Sequence, residues 1–370
     1  MAIKSIKVLN VMAFQRQWRK NNEDCNTYDI KEGDVLNDSF RLQFGDGINV
    51  LIGENGVGKT TLLKMIYAAT QWSIQKTDIG KTDKLIKFFS NNLSDSDLLK
   101  NNGSKEDYSY FEVSDGKNTF TNSLSHKGIF DYEQWLGLNI QSVFIPTTEM
   151  LSHSKGFLAL NQKYKLPFDG TQVDIIVNAS LPEAREIPPY MENILREISK
   201  VIDGTIIMED DTFYVLKLDG RKIDFSLEAE GLRKLGLLWK LIRNGLLEKD
   251  TVLLWDEPEA NLNPELFPLV VDVLLQLEEA GVQIFVATHS YNLAKYFEIR
   301  RRKEAQVMYH NLYRASAEVA SEYKPIETEN KDVTEVYGKS AFYLSELKGN
   351  KIVMADDRLL DEALEKNMAD

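Results

Sequence analysis

Apolar and polar residues alternate at the start of the chain, over residues 3–11 and again over 40–44, and this period of two predicts a strand at each place. Polar sequence containing Asp24, Asp29 and Asp34 separates them. After the turn signal Asp46-Gly47, residues 48–52 are apolar without a break, which suits a strand buried on both faces. The period then changes. Leu62, Leu63, Ile66 and Tyr67 recur at helical spacing and predict a helix over 60–70. Polar residues dominate from 91 to 125, where the runs 108–113 and 118–121 flank Asp115-Gly116 as the arms of a β-hairpin would. Residues 141–145 form another buried-strand candidate, stopped by Pro146, and 151–200 carries helix signals and the breaker Pro188-Pro189. Runs 205–208 and 213–218 are expected to pair, and Leu232, Leu235, Leu238 and Leu241 mark a helix over 231–243. Short apolar runs at 251–255 and 283–287, with a helix over 268–279 between them, make a strand–helix–strand unit of a layered α/β fold. Weaker strands and helices follow, ending in an acidic helix over 356–370.

Composition narrows the setting. A chain of 370 residues, 43% apolar, supports one large domain or two modest ones. Cys25 is the single cysteine, which excludes an internal disulfide framework or a cysteine-rich zinc module and fits a reducing cytosol. The alternating N-terminus lacks the continuous apolar region of a signal peptide, and no stretch approaches the roughly 18 apolar residues of a membrane span. A cytoplasmic protein with no membrane partner is expected. Net charge is −13, from 57 acidic and 44 basic residues, so broad nonspecific DNA binding is not indicated. Local basic candidates are Arg300-Arg301-Arg302-Lys303 and the group Arg16, Arg19 and Lys20, for each of which a solvated helix end or loop is the favoured reading.

Candidate chemistry begins at Gly53-Glu54-Asn55-Gly56-Val57-Gly58-Lys59-Thr60, which fits Gly-x4-Gly-Lys-Thr between a buried strand and a helix. Glycines there let the backbone wrap around phosphates and turn its N–H groups inward, while the helix start adds partial positive charge. On this reading Asn55, Gly56, Val57 and Gly58 cradle the phosphates of ATP, Lys59 bridges the β- and γ-phosphates, Thr60 holds Mg2+ and Thr61 donates to the α-phosphate. A second strand, 251–255, runs into Asp256-Glu257. Asp256 is assigned to the metal and Glu257 to polarising the attacking water, although strands also end in acidic turns for structural reasons. Thr288-His289-Ser290 follows the next buried strand, so a parallel sheet would bring His289 to the same edge, able to sense the γ-phosphate or hold the water. No guanine-reading Asn-Lys-x-Asp occurs.

Together these residues resemble the ATP-binding-cassette superfamily and, within it, the SMC, RecF and OLD-like ATPases. Asp256-Glu257-Pro258-Glu259-Ala260-Asn261-Leu262-Asn263-Pro264 is similar to that branch's DEPE-x-N-L-H-P run, with Asn263 in place of the histidine. The resemblance implies an α/β P-loop NTPase of ABC-ATPase type: a mixed sheet with flanking helices, an antiparallel β elaboration and a helical lid. It implies an ATPase domain over 1–315, with the β elaboration at 70–140, the lid and signature region at 150–250, and an α/β extension at 316–370. It further implies that two heads sandwich two ATPs, each capped by the other head's signature. Here that segment is Ser226-Leu227-Glu228-Ala229-Glu230-Gly231-Leu232-Arg233-Lys234, with Gly231 retained and Glu230 where a serine is usual; Ser226 is the other serine candidate. A carboxylate facing γ-phosphate is repulsive unless neutralised, which puts a symmetric hydrolysing sandwich in question. Glu149 stands where the family's metal- and water-contacting glutamine would, and Asn261 matches the segment that crosses between heads; Phe14 and Arg16, after the first strand, are candidates for adenine, although packing explains Phe14 equally well. The function implied is an ATPase switch of a defence or toxin–antitoxin module, partnered by itself and by a separate effector such as a nuclease or toxin. A RecF-like DNA-repair ATPase is the alternative, and a transporter motor fits least.

Overall fold

Strands that are apolar at every position must be covered on both faces, and that requirement organises the molecule. The computed structural model describes residues 2–14, 39–75, 87–90, 109–123, 132–164, 166–316, 334–347 and 350–369; Arg16, Arg19, Lys20, Cys25 and the polar stretch 91–108 lie outside these. In chain order the elements are β1 (Ser5–Leu9), β2 (Phe40–Gln43), β3 (Ile48–Gly53), α1 (Lys59–Ser73), β4 (Tyr110–Ser114), β5 (Thr119–Ser123) and β6 (Ser142–Ile145). There follow α2 (Phe157–Tyr164), α3 (Gly170–Ala179), α4 (Pro189–Ile202), β7 (Gly204–Glu209), β8 (Thr212–Lys217), β9 (Lys222–Asp224) and α5 (Glu230–Arg243). The rest are β10 (Val252–Asp256), α6 (Phe267–Glu279), β11 (Gln283–Thr288), α7 (Tyr291–Arg300), β12 (Val307–Ser316), β13 (Thr334–Ala341) and α8 (Lys351–Ala369).

The central sheet has the order β13-β12-β3-β11-β10-β6 and is parallel except for β13. Successive residues of its strands point to opposite faces. Val50, Ile52, Trp255 and Val286 join a core closed by α3 to α7, whereas Leu51, Leu254 and Phe285 join a second core closed by α1 and an antiparallel sheet of order β2-β1-β4-β5. The hairpin expected near Asp115-Gly116 is therefore no appendage. Its first strand pairs with β1 and forms part of the layer over α1. A three-stranded sheet, β7-β8-β9, lies in the lid between α4 and α5.

The lid shows how local sequence fixes an element. Pro189 opens α4 with its φ already helical, and Met191, Ile194, Leu195, Ile198 and Ile202 bury one stripe before Asp203, at φ 52°, ends it. Each such side chain contributes about 1.5–3 kcal/mol when fully buried. Asp169 and Gln172 form a capping box on α3, and Lys64 of α1 reaches the same Asp169 at 2.6 Å, tying the lid to the helix behind the phosphate loop. Beyond α7, β12 and β13 pair over eight residues, so the extension drawn from 316 shares the central sheet. The run Arg300–Lys303 is largely committed: Arg300 pairs with Asp272, Arg302 with Glu279, and Arg301 donates to Phe342 O at 2.7 Å and covers the Tyr343 ring. Among the described residues no helix is long and apolar enough to cross a membrane.

Candidate active site

β3, β11 and β10 are adjacent and parallel, with Thr288 opposite Ile52 and Asp256 opposite Ala287, so the segments that follow them share one edge. The loop after β3 is shaped by glycines: Gly56 has φ 76° and Gly58 has φ 94°. A Cβ at Gly58 would also stand 2.6 Å from the Phe14 ring. Gly58 caps α1 with no side-chain hydrogen bond, and the first turn carries no acidic residue. The helix start is thus left unneutralised, which fits an anion. Asn55, Gly56, Gly58, Lys59, Thr60, Thr61 and Glu257 line one cavity of about 240 Å3, together with Met12 and Ala13. Val57 turns into the core, so only its backbone serves the loop.

Lys59 Nζ donates to Gly53 O at 2.7 Å and Glu54 O at 2.9 Å. Burial lowers its pKa, opposed by the charges of Glu257, Asp256, Glu259 and Glu54. Thr60 Oγ1 donates to both oxygens of Asp256, at 3.0 and 2.9 Å, across 196 positions of sequence. Burial raises the pKa of Asp256, and hydrogen bonds from Thr60 and Thr147 pull it back. Thr60 lines the cavity beside a free helix start and Asp256 lies directly behind it; such oxygens are the donor set of a hard divalent cation shared with phosphates, so the residues fit Mg2+.

Glu257 sits at φ 49°, held by its N–H to Ala287 O at 2.9 Å and by Lys234 Nζ donating to its carbonyl at 3.1 Å. His289 Nδ1 lies 3.3 Å from Glu257 Oε1. The structure therefore brings together Lys59, Thr60, Asp256, Glu257 and His289. It does not bring in Glu149. That carboxylate is buried, accepts from the backbone N–H groups of Leu151 and Ser152, and lies 3.4 Å from Arg233 Nε; the next turn of chain needed it as a cap. The place beside Asp256 belongs to Thr147, whose Oγ1 donates to Asp256 Oδ2 at 3.0 Å. Phe14 is core as well, its ring centroid 4.6 Å from that of Phe40 and tilted 46° to it.

Gly231 and Asn261 meet one another in the same chain rather than the cavity: a Cβ at Gly231 would be 2.8 Å from Asn261 O. Asn261 is exposed at φ 60°. Ser226 is held by Asp224, with its Oγ donating at 2.6 Å, and Glu230 starts α5. Asn263 accepts from Glu265 N–H at 3.2 Å, the N-cap role that asparagine fills well. Three residues escaped the sequence reading: Thr147, Lys234 and Glu259. A polar residue just beyond a buried strand was the available signal for Thr147; nothing local marks the other two.

Two family models cover the site from either side. One, described as "AAA domain", matches residues 35–186, and the other, "AAA domain, putative AbiEii toxin, Type IV TA system", matches residues 159–295. Both models describe AAA-type ATPase domains, and the chain is similar to the SMC, RecF and OLD-like branch of ABC-type ATPases. The chain is 26% identical over 198 residues to the DNA replication and repair protein RecF of Streptococcus suis, covering 52% of each chain. Against RecF of Streptococcus uberis it is 30% identical over 208 residues, 55% of this chain and 54% of that one. The chain thus spans about half the length of the curated relatives it matches. Among solved structures it is similar to the SMC head domain from Thermotoga maritima, at 15% identity and TM-score 0.45, over 92% of this chain and 99% of that one.

Proposed function

We propose that this ATPase head binds and hydrolyses ATP as a switch, and that it is the cytoplasmic ATPase component of a prokaryotic defence or toxin–antitoxin assembly with a separate effector. The observation that carries the enzymatic reading is the meeting of Lys59, the Thr60–Asp256 pair and the Glu257–His289 pair beside an unneutralised helix start. The loop N–H groups bind phosphate oxygens, and Lys59 exchanges its two carbonyl partners for the β- and γ-phosphates. Thr60 and Asp256 would hold Mg2+, which supplies charge neutralisation on the phosphate oxygens. Glu257 accepts hydrogen bonds from the attacking water and takes its proton, and His289 fixes that carboxylate. Met12 and Ala13 offer the nucleoside side of the cavity an apolar wall. Two heads close over two nucleotides, with Gly231 and Asn261 at the junction.

The biological half is supported by the toxin–antitoxin description of the model over residues 159–295. Light scattering with and without ATP, on Glu257→Gln to slow turnover, tests the switch; a monomer indifferent to ATP would sink it. A second reading, DNA repair, is favoured by the RecF relatives. Retention of DNA that depends on ATP and falls with salt would support it, against a surface whose arginine run is already ion-paired.

A further inference from the structure

Glu259 belongs to the turn after Asp256-Glu257 and is buried to 7% exposure, yet the roles above leave it unused. Its Oε1 gathers one neighbouring segment. Thr288 Oγ1 donates to it at 2.5 Å and His289 N–H at 3.0 Å, and the His289 Nδ1 lies 3.6 Å away. The same Nδ1 is 3.3 Å from Glu257 Oε1. One ring nitrogen is therefore flanked by two carboxylates, and both are acceptors when ionised. Glu259 Oε2 is buried with no hydrogen-bond partner, on the wall of a cleft of about 650 Å3 that His289 also lines. A carboxylate used solely to cap a strand end needs one oxygen; a charge kept in this place acts on what surrounds it. The surroundings are His289 and the ammonium of Lys234, whose pKa is lowered by burial and pushed back up by neighbouring carboxylates, Glu259 foremost.

We infer that Glu259 is a positioning residue for ATP hydrolysis: the paired charges of Glu257 and Glu259 beside Nδ1 keep the His289 proton on that nitrogen, which fixes the ring's tautomer and leaves Nε2 an acceptor. The assignment rests on the ATPase reading above. Imidazole tautomers are set by the partner of the opposite nitrogen, and here two acidic partners face the same one. Glu259 touches neither the phosphates nor the water; it acts through the ring. The change Glu259→Gln is isosteric, and the amide oxygen it introduces can still accept from Thr288 and from His289 N–H. A merely structural Glu259 therefore tolerates Glu259→Gln.

The test is nitrogen NMR on 15N-histidine-labelled full-length protein, with His289 assigned through His289→Gln, beside steady-state ATPase kinetics. In the wild type, His289 should show a protonated Nδ1. Glu259→Gln should shift that signal toward the mixed tautomers of free imidazole. It should also lower kcat about 10–100-fold, the usual effect of an outer-shell partner, with ATP affinity changed less than about twofold. Glu259→Asp, which keeps the charge, should recover part of kcat. A wild-type His289 protonated on Nε2 alone overturns the inference, as does a Glu259→Gln enzyme with unchanged kcat. Should Glu259→Gln not fold, the wild-type spectrum still decides. A wild type that binds ATP and never hydrolyses it would refute the ATPase reading instead, while the tautomer measurement would stand.

Discussion

Replacing Gly58 by alanine tests the fit of the phosphate loop to the core beneath it. Two costs arise from one methyl group. At φ 94° a side chain meets the following carbonyl, at about 1–2 kcal/mol. The methyl carbon would also stand 2.6 Å from two carbons of the Phe14 ring. Phe14 cannot yield: it is 1% exposed and packed against the Phe40 ring at a centroid distance of 4.6 Å, so overpacking adds about 1–3 kcal/mol. Urea unfolding of Gly58→Ala should therefore show a loss of about 2–5 kcal/mol, out of the 5–15 kcal/mol typical of a folded domain. Part of the strain is relieved by lifting the loop from Phe14, which tilts the N–H groups away from the phosphates. Calorimetry should then show ATP affinity reduced at least tenfold, since about 1.4 kcal/mol of misalignment suffices. Phe14→Ala in the same chain should restore part of the affinity by opening space, although it leaves a cavity of its own. A stability change under about 0.5 kcal/mol together with unchanged affinity would refute the reasoning, because neither the backbone nor the packing would then require glycine.

Glu257→Gln should keep ATP affinity and lose about 10²–10⁴-fold in hydrolysis, the range for a general base, read by phosphate release under saturating ATP. Lys59→Ala should weaken ATP binding by about 10–100-fold, the worth of charge-assisted hydrogen bonds, and calorimetry with a non-hydrolysable analogue measures it. His310 gives the pH prediction. Full burial between Ser340 and Asn49 pushes its pKa from 6.5 down to about 3. The unfolded chain therefore binds a proton that the folded one refuses. The contribution of His310 to stability is intact above pH 6.5 and falls as the pH drops below it, by about 1.4 kcal/mol per unit. His310→Gln should flatten that part of the profile between about pH 6.5 and 4 in denaturant titrations.

Period and breakers make most of the architecture readable without coordinates, because buried parallel strands must be apolar throughout and the lid helices carry one apolar stripe. The strand–helix–strand unit β10–α6–β11 and both hairpins, β4–β5 and β7–β8, stand where the sequence places them. Partnership is less legible. Nothing along β1 says that it pairs with β4, about a hundred residues downstream, because alternation fixes which face is buried and not which strand lies alongside. At the site, residues whose chemistry acts at short sequence range from a strand end are visible. Thr147 is not separable from Thr148 or Glu149, because which of three consecutive polar residues faces Asp256 depends on the turn after Pro146. Glu149 looks the better ligand and is a cap. Lys234 and Glu259 belong to segments brought together only by α5 lying along the acidic turn, a tertiary fact with no periodic trace.

The positive φ of Glu257 links the fold to the chemistry. A non-glycine residue at φ 49° costs about 1–3 kcal/mol, and it persists only where its surroundings determine it. Here they do so from two sides: β11 accepts the Glu257 N–H at Ala287 O, and Lys234 on α5 donates to its carbonyl. The Glu257 carboxylate is thus aimed by the strand that delivers His289 and by the helix that starts at Glu230-Gly231. Any movement of α5 when a second head seats on that helix start would be felt at Glu257 through a single 3.1 Å hydrogen bond. Turnover in this ATPase head should for that reason depend on closure, with Lys234→Met uncoupling the two: ATP-driven association should persist in light scattering while phosphate release becomes insensitive to protein concentration. If Lys234→Met hydrolysed ATP with the wild type's concentration dependence, α5 would be no more than a scaffold for the lid.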